Sequence, residues 1–399
     1  MNGFLPAAVL LAGFLVLLLA ERRSLDAARR RIGLCVAVTG TRGKSSVTRL
    51  IAAALRADGR SVLVKTTGSR PVFSVVDGYE HLIDRPGPPT ILEQKRVLRT
   101  AARGRVDALV AEMMSIRPEC LRAEAARILK PDLLVITNVR VDHREEMGPT
   151  VDSAAAAMAA AISSGCTVLV PAAEDHPAFH SAALRRGAWI VPVPGPGAGP
   201  GREPAGLSEN DGEFPENRLL AAAAAEMLGV SREKAEAGLA AAVPDFGVLR
   251  VWRLDGAAPR SFAVSAFAAN EPPSTRRVLA RLAEIRPSLP DRRIGILNLR
   301  EDRDDRTRQW LEAGDAGFFA DFAGILVVGR PAAPAARRLR RRSPAGRFVL
   351  GLAGSDPARI MAAARAQAGM APAVFVGLGN IAGAGAALID LWDRTGEAA

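Results

Sequence analysis

The chain has 399 residues, enough for two domains with separate cores, and carries a formal net charge of +11. That charge predicts an acidic partner, but aromatic residues make up only 5% of the chain, which leaves little surface for stacking bases, so no nucleic-acid partner is expected. The three cysteines match no disulfide framework or metal spacing, and they are expected to pack as small apolar side chains in a reducing compartment.

The N-terminal segment predicts a membrane anchor. An unbroken apolar run from Phe4 to Ala20 is long enough, together with residues 1–3, to cross a bilayer as a helix. No charge precedes the run, which argues against a cleaved signal peptide, and five arginines follow it by Arg31. By the positive-inside rule we predict a single-pass transmembrane helix and basic segment over 1–31, with the catalytic domains in the cytoplasm and the lipid bilayer as a partner.

The segment from Val36 to Val47, VAVTGTRGKSSV, predicts a phosphate-binding loop between a strand and a helix. Small residues allow successive backbone N–H groups to point into one concavity, Lys44 supplies charge for the phosphates, and Ser45 places a hydroxyl where Mg²⁺ binds. Val38 stands where the strict Walker pattern has glycine, so the loop is a variant. The alternative is a glycine-rich turn that binds no nucleotide.

Alternating strand-like and helix-like stretches over 32–244 predict an α/β domain with a mostly parallel, doubly wound sheet. Strands are expected over Ser61–Thr67, Val106–Met114 and Asp132–Val139, with edge strands at Thr167–Pro171 and Trp189–Val193. The first three, like the loop strand, end in polar residues. Ligands bind at the carboxyl ends of such strands, so we expect these ends to form one site.

Two residues at the ends of these strands are candidates for binding Mg²⁺. Glu112 lies near the end of the strand expected over Val106–Met114, and a carboxylate on a neighbouring strand end is the usual partner of the loop hydroxyl. His143 lies just past the strand expected over Asp132–Val139. Its alternative is a packed or surface histidine.

Residues 245–399 predict a second, smaller α/β domain. The basic run from Ala336 to Pro344 is either a helix face or a loop; such runs are usually solvated, although this one could serve an anionic polymer or a membrane. GLGNIAGAG, from Gly377 to Gly385, is better explained as a glycine turn after a strand than as a nucleotide motif.

Six motifs in order, GTRGKSS, AEMMS, TNVRVDHREEMG, ENRLLAAAA, AFAANEPPST and LREDRDDRT, resemble the Mur ligase superfamily of ATP-dependent amide ligases. More narrowly, the chain resembles the catalytic subunits of poly-γ-glutamate synthase, the capsule-type CapB/PgsB family. The resemblance implies a Mur ligase-like P-loop central domain and a smaller α/β C-terminal domain, preceded by one transmembrane helix.

The resemblance also implies ATP and Mg²⁺ as cofactors and a set of site residues. Asp142 would order the metal site, with Asn138, and Asn217 would approach the adenine. Residues implied to bind ATP are Gly40, Thr41, Arg42, Gly43, Lys44, Ser45, Ser46, Asn138 and Asn217. Metal ligands would be Ser45, Glu112 and His143, and catalytic residues Lys44, Glu112, His143, Arg300, Arg303 and Arg306. Substrate contacts would be Lys65, Thr66, Ser69, Arg70, Asn270 and Asp302.

The implied activity is polymerisation of glutamate through γ-carboxyl amide bonds by way of an acyl phosphate. Its partners would be glutamate, the growing anionic chain and membrane-protein subunits of a synthase and export complex. Two alternatives are a ligase that adds few residues to a small acceptor, like folylpolyglutamate synthase, and a nucleotide-regulated scaffold subunit. Many Mur ligases carry a carbamylated lysine after the histidine, but no lysine lies between Lys130 and Lys234. Either that bridge is dispensable or Glu145 or Glu146 replaces it.

Overall fold

The computed structural model of the chain describes residues 4–68, 71–74, 80–83, 85, 89–197, 212–254, 260–344 and 346–399. Contacts divide the chain into two compact units, one formed by Met1–Leu207 with Phe214–Asp245 and the other by Ser208–Glu213 with Phe246–Ala399. Two residues predicted to contact substrate, Ser69 and Arg70, lie outside the described residues.

The first helix, α1 (Phe4–Arg29), continues without a break from the apolar run into charged residues. Its C-terminal turns pack on the first unit, where Leu25 and Ala28 are buried and Asp26 forms an ion pair of 2.6 Å with Lys130. Within the described ranges, no helix combines the length and the apolar character needed to cross a bilayer. The predictions of a transmembrane anchor and of a single-pass membrane protein are therefore wrong.

An eight-stranded sheet forms the centre of the first unit, in the order β4-β3-β2-β5-β1-β6-β7-β8. The six strands from β2 to β8 in that order are parallel, and β3 and β4 add an antiparallel edge. This arrangement confirms the predicted mostly parallel sheet. Of the two strands predicted to lie at an edge, β8 does so and β7 is an interior strand. The strands are β1 (Leu34–Thr39), β2 (Val62–Thr66), β3 (Val72–Ser74), β4 (Glu80–Leu82), β5 (Ala108–Glu112), β6 (Leu133–Ile136), β7 (Thr167–Pro171) and β8 (Trp189–Val193).

Helices cover both faces of this sheet, which explains why its central strands are apolar at nearly every position. Cys35 and Ala37 of β1 point into a core that includes Leu98, whereas Val36 and Val38 point into a core that includes Ile51. The helices are α2 (Lys44–Ala57), α3 (Leu92–Gly104), α4 (Pro118–Arg122), a π-helix (Ala123–Leu129), α5 (Arg144–Met147), α6 (Val151–Met158), α7 (Pro177–Arg186), α8 (Pro215–Met227) and α9 (Arg232–Ala240).

The second unit contains a seven-stranded sheet in the order β13-β12-β11-β14-β10-β9-β15. Strands β13 to β10 in that order are parallel, and β9 pairs antiparallel with both of its neighbours. The strands are β9 (Arg250–Leu254), β10 (Ser261–Ser265), β11 (Arg293–Asn298), β12 (Phe322–Val328), β13 (Phe348–Leu352), β14 (Val374–Gly379) and β15 (Gly396–Ala398). The helices are α10 (Pro272–Ile285), α11 (Asp304–Asp315), α12 (Ala332–Arg342), α13 (Pro357–Ala368) and α14 (Ala384–Thr395).

Two predictions about the second unit are resolved by these elements. The basic run beginning at Ala336 is helical and forms much of α12. The glycine-rich segment is a turn, as predicted, because β14 ends at Gly379 and α14 begins at Ala384. Gly379 has φ 80°, and a Cβ there would lie 2.4 Å from the carbonyl oxygen of Asn298, so both backbone angle and space require glycine.

Candidate functional site: a phosphate loop with a serine–glutamate pair

The loop between β1 and α2 depends on two glycines. Gly40 has φ 130° and Gly43 has φ 79°, angles that favour glycine. A Cβ on Gly40 would lie 2.2 Å from Oγ1 of Thr137, and one on Gly43 would lie 2.7 Å from Oδ1 of Asn217. The loop therefore fits tightly between the end of β6 and the first turn of α8.

Asn138 holds this loop against the carboxyl end of β6. Its carbonyl accepts the N–H of Thr41 at 3.1 Å, and its Oδ1 accepts the N–H of Arg42 at 3.0 Å. Its Nδ2 donates to the carbonyl of Arg42 at 2.9 Å. In this structure Asn138 thus shapes the loop, and the N–H groups at the start of α2 lie where a helix terminus attracts anions.

Lys44 is the first residue of α2 and bends back over the loop. Its Nζ donates to the carbonyl of Gly40 at 2.8 Å and to that of Thr41 at 3.3 Å. Burial lowers the pKa of this ammonium group, and the nearby Glu112 carboxylate opposes the shift. The ammonium group is therefore held by two neutral carbonyls. A negatively charged phosphate would bind it more strongly than they do and could displace them.

Ser45 and Glu112 meet beside the loop. The Ser45 hydroxyl donates to Oε2 of Glu112 at 2.8 Å, and the Thr67 N–H donates to the same oxygen at 2.7 Å. Glu112 is the last residue of β5 and pairs in register with Val38 of β1, which brings it to the strand edge that carries the loop. As predicted, the ends of β1, β2, β5 and β6 lie at one edge of the sheet.

This donor set fits Mg²⁺. The ion prefers oxygen ligands, keeps several waters, and usually takes only one or two protein ligands beside nucleotide phosphates. A hydroxyl and a buried carboxylate next to a phosphate loop meet that requirement. The ranges that the structure describes contain no cluster of three or more His, Cys, Asp or Glu residues able to hold a metal by themselves.

His143 lies in a separate group with Arg42 and Asp142. Asp142 is buried, its Oδ2 is 3.1 Å from Nη1 of Arg42, and its Oδ1 accepts the His143 backbone N–H at 3.0 Å. The imidazole Nε2 is 3.9 Å from Oδ2 of the same carboxylate. His143 has φ 46° and caps α5, whose residues include Glu145 and Glu146.

The structure places two of the predicted substrate residues in the interior. Lys65 has no exposed surface, and its Nζ lies 3.1 Å from Oε1 of Glu93. Thr66 is also fully buried. In this conformation the side chain of Lys65 is therefore not accessible from the surface.

Three polar residues around Lys65 had no predicted role: Glu93, which is partly buried, and Gln94 and Glu124, which are fully buried. The first two belong to the ILEQ stretch, where two polar residues begin a helix. Glu124 is the one acidic residue in the otherwise mostly apolar stretch AEAARIL. That position was a signal, because a carboxylate on a buried helix face needs hydrogen-bond partners.

In the second unit, predicted residues gather after β11. Arg300 donates to both oxygens of Asp302, at 2.9 and 2.6 Å, and this hydrogen bond lowers the pKa of Asp302. Arg303 caps α11, and Arg306 in its first turn is buried. The carbonyl of Asn270 accepts the Trp310 Nε1–H at 3.0 Å, which ties that residue, at φ 59°, to α11.

Family models match both units. Residues 38–182 match the Mur ligase middle domain, and residues 251–395 match the poly-gamma-glutamate synthase CapB C-terminal domain. Together with the phosphate loop, these matches define an α/β protein of the Mur ligase type. The chain belongs to the CapB family, because it is 30% identical over 381 residues to the capsule biosynthesis protein CapB of Bacillus anthracis, covering 93% of this chain and 79% of that protein. The PGA synthase CapB of Bacillus subtilis (strain 168) is 29% identical over 384 residues, covering 93% and 92%.

Solved structures show the same fold. E. coli FolC in complex with ADP superposes with a TM-score of 0.65 at 19% identity, covering 94% of this chain and 93% of that chain. Mycobacterium tuberculosis folylpolyglutamate synthase complexed with ADP and AMPPCP gives 0.66 at 17% identity, covering 95% of each. At these identities the likeness establishes the two-unit fold and no more.

Proposed function

We propose that this chain is an ATP-dependent amide ligase that polymerises glutamate through γ-carboxyl amide bonds. The observation that carries the proposal is the Ser45–Glu112 pair beside a phosphate loop, in a chain whose curated relatives are named for capsule biosynthesis and PGA synthesis. ATP and Mg²⁺ are the cofactors that this loop and donor set fit.

The reaction forms and breaks two bonds in turn. A carboxylate oxygen of the acceptor attacks the γ-phosphorus of ATP, ADP leaves, and an acyl phosphate remains. The amine of the next glutamate then attacks the acyl carbon, phosphate leaves, and the nitrogen loses a proton to solvent. Bound Mg²⁺ supplies charge stabilisation for the phosphoryl group.

We assign the loop residues, from Gly40 to Ser46, to holding the phosphates, since their backbone N–H groups and the α2 N-terminus form the anion site. In this proposal Lys44 moves from the carbonyls of Gly40 and Thr41 to the transferred phosphoryl group. Ser45 and Glu112 would hold the metal, His143, which lies beside the Arg42–Asp142 pair, would be a further ligand, and Asn217 would adjoin the nucleotide.

We assign the arginines after β11 to binding the carboxylates of the substrate. A guanidinium binds a carboxylate through two parallel hydrogen bonds, and Arg300 already does so with Asp302 in this structure. Substrate carboxylates would replace Asp302 on Arg300, with Arg303 and Arg306 adding charge in the same segment. Asn270 shapes this region through its bond with Trp310.

Helix α12 offers a surface for the anionic product. Five of its side chains, Arg337, Arg338, Arg340, Arg341 and Arg342, are exposed. Residues 246–399 contain no lysine, so the basic side chains that could pair with carboxylates here are guanidinium groups of arginine.

Partner subunits of a synthase complex belong to the same proposal. Helix α1 exposes apolar side chains such as Leu10 and Leu17, which another subunit could cover.

A folylpolyglutamate-synthase-like activity is the second candidate, favoured by the shared two-unit fold. The test is phosphate release by the purified chain with ATP and Mg²⁺, with and without glutamate, combined with sizing of the product. Glutamate-dependent release with a lengthening acidic polymer supports polymerisation, and release that stops after one or two additions to a small acceptor supports the second candidate. Lys44→Ala should abolish release, and full activity in that variant would overturn the role of the loop.

A further inference from the structure

Just beyond Glu112, at the end of β5, buried side chains replace the neighbouring strand as hydrogen-bond partners of the main chain. The last sheet-type bond runs from the N–H of Met113 to the carbonyl of Val38 at 2.8 Å. Beyond it, the Glu124 carboxylate accepts the N–H of Met114 at 3.1 Å and that of Ser115 at 3.0 Å. Glu124 is fully buried and replaces the missing sheet partner of this segment.

The carbonyl of Glu112 is held from the same interior. Nε2 of Gln94 donates to it at 2.9 Å, and Nζ of Lys65 lies 3.5 Å from it. The same Nε2 also donates to Oε1 of Glu124 at 2.7 Å. Gln94 therefore joins the main chain of Glu112 to the carboxylate that holds the N–H groups of Met114 and Ser115.

Lys65 provides the charge that allows these carboxylates to be buried. Its ammonium group is fully buried and lies 3.1 Å from Oε1 of Glu93, while Arg85 donates to both oxygens of that carboxylate, at 2.7 Å to Oε2 and 3.0 Å to Oε1. Burial lowers the pKa of Lys65, and Glu93, Glu124 and Glu112 all oppose that shift. A buried charge without such partners would be strongly destabilising.

We propose that Lys65, Gln94 and Glu124 are positioning residues that fix the peptide of Glu112 and so aim its carboxylate at Ser45. They act through Glu112 and touch neither nucleotide nor glutamate, in contrast to the substrate contact predicted for Lys65. The inference rests on the proposed function only in taking Ser45 and Glu112 as ligands of the nucleotide-bound metal.

The test measures Mn²⁺ binding to the full chain by electron paramagnetic resonance in the presence of AMPPCP. Gln94→Met and Lys65→Met remove the two donors to the Glu112 carbonyl while nearly keeping side-chain length. Each should weaken Mn²⁺ binding about tenfold and leave AMPPCP binding in EDTA unchanged. The double variant should lose less than the product of the two single losses, because both act on one carbonyl.

Lys95→Met is the matched control. Lys95 follows Gln94 on α3, but its ammonium group pairs with Glu21 of α1 at 2.9 Å, so Mn²⁺ binding should remain that of the wild type. Should Lys65→Met not fold, Glu124→Gln keeps the shape of the side chain and the Lys65–Glu93 pair, but it has only one acceptor oxygen, so one of the two N–H groups loses its partner. It should lower Mn²⁺ affinity about threefold.

The outcomes are distinguishable. Folded variants that bind Mn²⁺ as tightly as the wild type would overturn the positioning role and leave the ligase proposal standing. A wild-type chain that binds no Mn²⁺ with AMPPCP would overturn both. Normal metal binding in the wild type without glutamate-dependent phosphate release would overturn the proposed function alone.

Discussion

The hydroxyl of Ser45 donates a 2.8 Å hydrogen bond to Oε2 of Glu112, which joins the first turn of α2 to the last residue of β5. The same oxygen accepts the N–H of Thr67 at 2.7 Å. Both bonds use one carboxylate oxygen, and Oε1 takes part in neither of them. The ends of β5 and β2 and the first turn of α2 are thus connected through a single side chain.

Replacing either partner of this pair should remove most of the activity. Glu112→Gln loses the negative charge and Ser45→Ala loses the hydroxyl, and each should reduce kcat for phosphate release by about 10²–10³, as when one transition-state electrostatic contact is removed. Ser343→Ala is the control, because that hydroxyl, just after α12, donates to the carbonyl of Leu339 in the last turn of that helix. Wild-type kcat in Ser45→Ala would contradict the assignment.

Gly68→Ala should impair the same pair by steric contact. A Cβ at Gly68 would lie 2.5 Å from Oγ of Ser45, so either the hydroxyl rotates away from Glu112 or the following backbone shifts. We expect kcat to fall about tenfold or more, with a smaller change in thermal stability. Gly104→Ala serves as the comparison, since a Cβ there meets only Cγ1 of Val106 at an ordinary 3.6 Å. Equal activity of the two variants would show that the contact is harmless.

The cysteines should differ in reactivity. Cys35 and Cys166 are buried, whereas Cys120 is partly exposed. A thiol reagent at pH 8 should therefore modify about one cysteine quickly in the folded chain and all three after unfolding in urea. Fast modification of Cys35 without unfolding would contradict the packing of β1.

Burial of Cys35 also predicts a pH effect on stability. Burial raises the pKa of its thiol from 9.0 to about 12. Between these values the unfolded chain loses the proton and the folded chain keeps it, so this contribution to the free energy of unfolding declines as the pH rises from about 9 to 12. Urea unfolding across this range should show a shallower decline for Cys35→Ala than for the wild type. An equal decline of the free energy of unfolding with pH in the two proteins would contradict a raised pKa of Cys35.

Helix α12 should bind the polymer through charge. A triple variant, Arg337→Gln, Arg341→Gln and Arg342→Gln, should bind purified poly-γ-glutamate about tenfold more weakly by fluorescence anisotropy, and added salt should reduce the difference. The control removes the same charge elsewhere in this unit, at the exposed Arg359, Arg365 and Arg394. If both triples weaken binding equally, only net charge matters and α12 has no special role.

The phosphate loop and the strand ends beside it could be predicted from sequence because their requirements are local. An apolar strand, glycines and a lysine at a helix start determine that conformation almost alone, and β1 and α2 form where the pattern placed them. The same reasoning identified Glu112, since parallel strands end at one edge.

Features that depend on distant partners were not predictable in this way. The apolar run before Ala20 indicated an anchor, but pattern alone did not show that the same helix continues into Leu25 and Ala28, which pack on the first unit. The burial of Lys65 depends on Glu93 and Glu124, which are 28 or more residues away in sequence and meet it only in three dimensions. The sequence around Lys65 therefore did not reveal that its side chain lies in the interior.

Glu124 lies in the π-helix Ala123–Leu129, a wider turn that continues directly from α4. Such turns hold one residue more than the same stretch of α-helix, so deleting a single residue there would restore ordinary winding while the segments on either side keep their positions. Deleting Ala123 in this way would move Glu124 by one position along the helix, and so separate its carboxylate from the main chain of Met114 and Ser115, with every other side chain kept. This makes the length of that short helix, and not only its composition, a property that selection can act on.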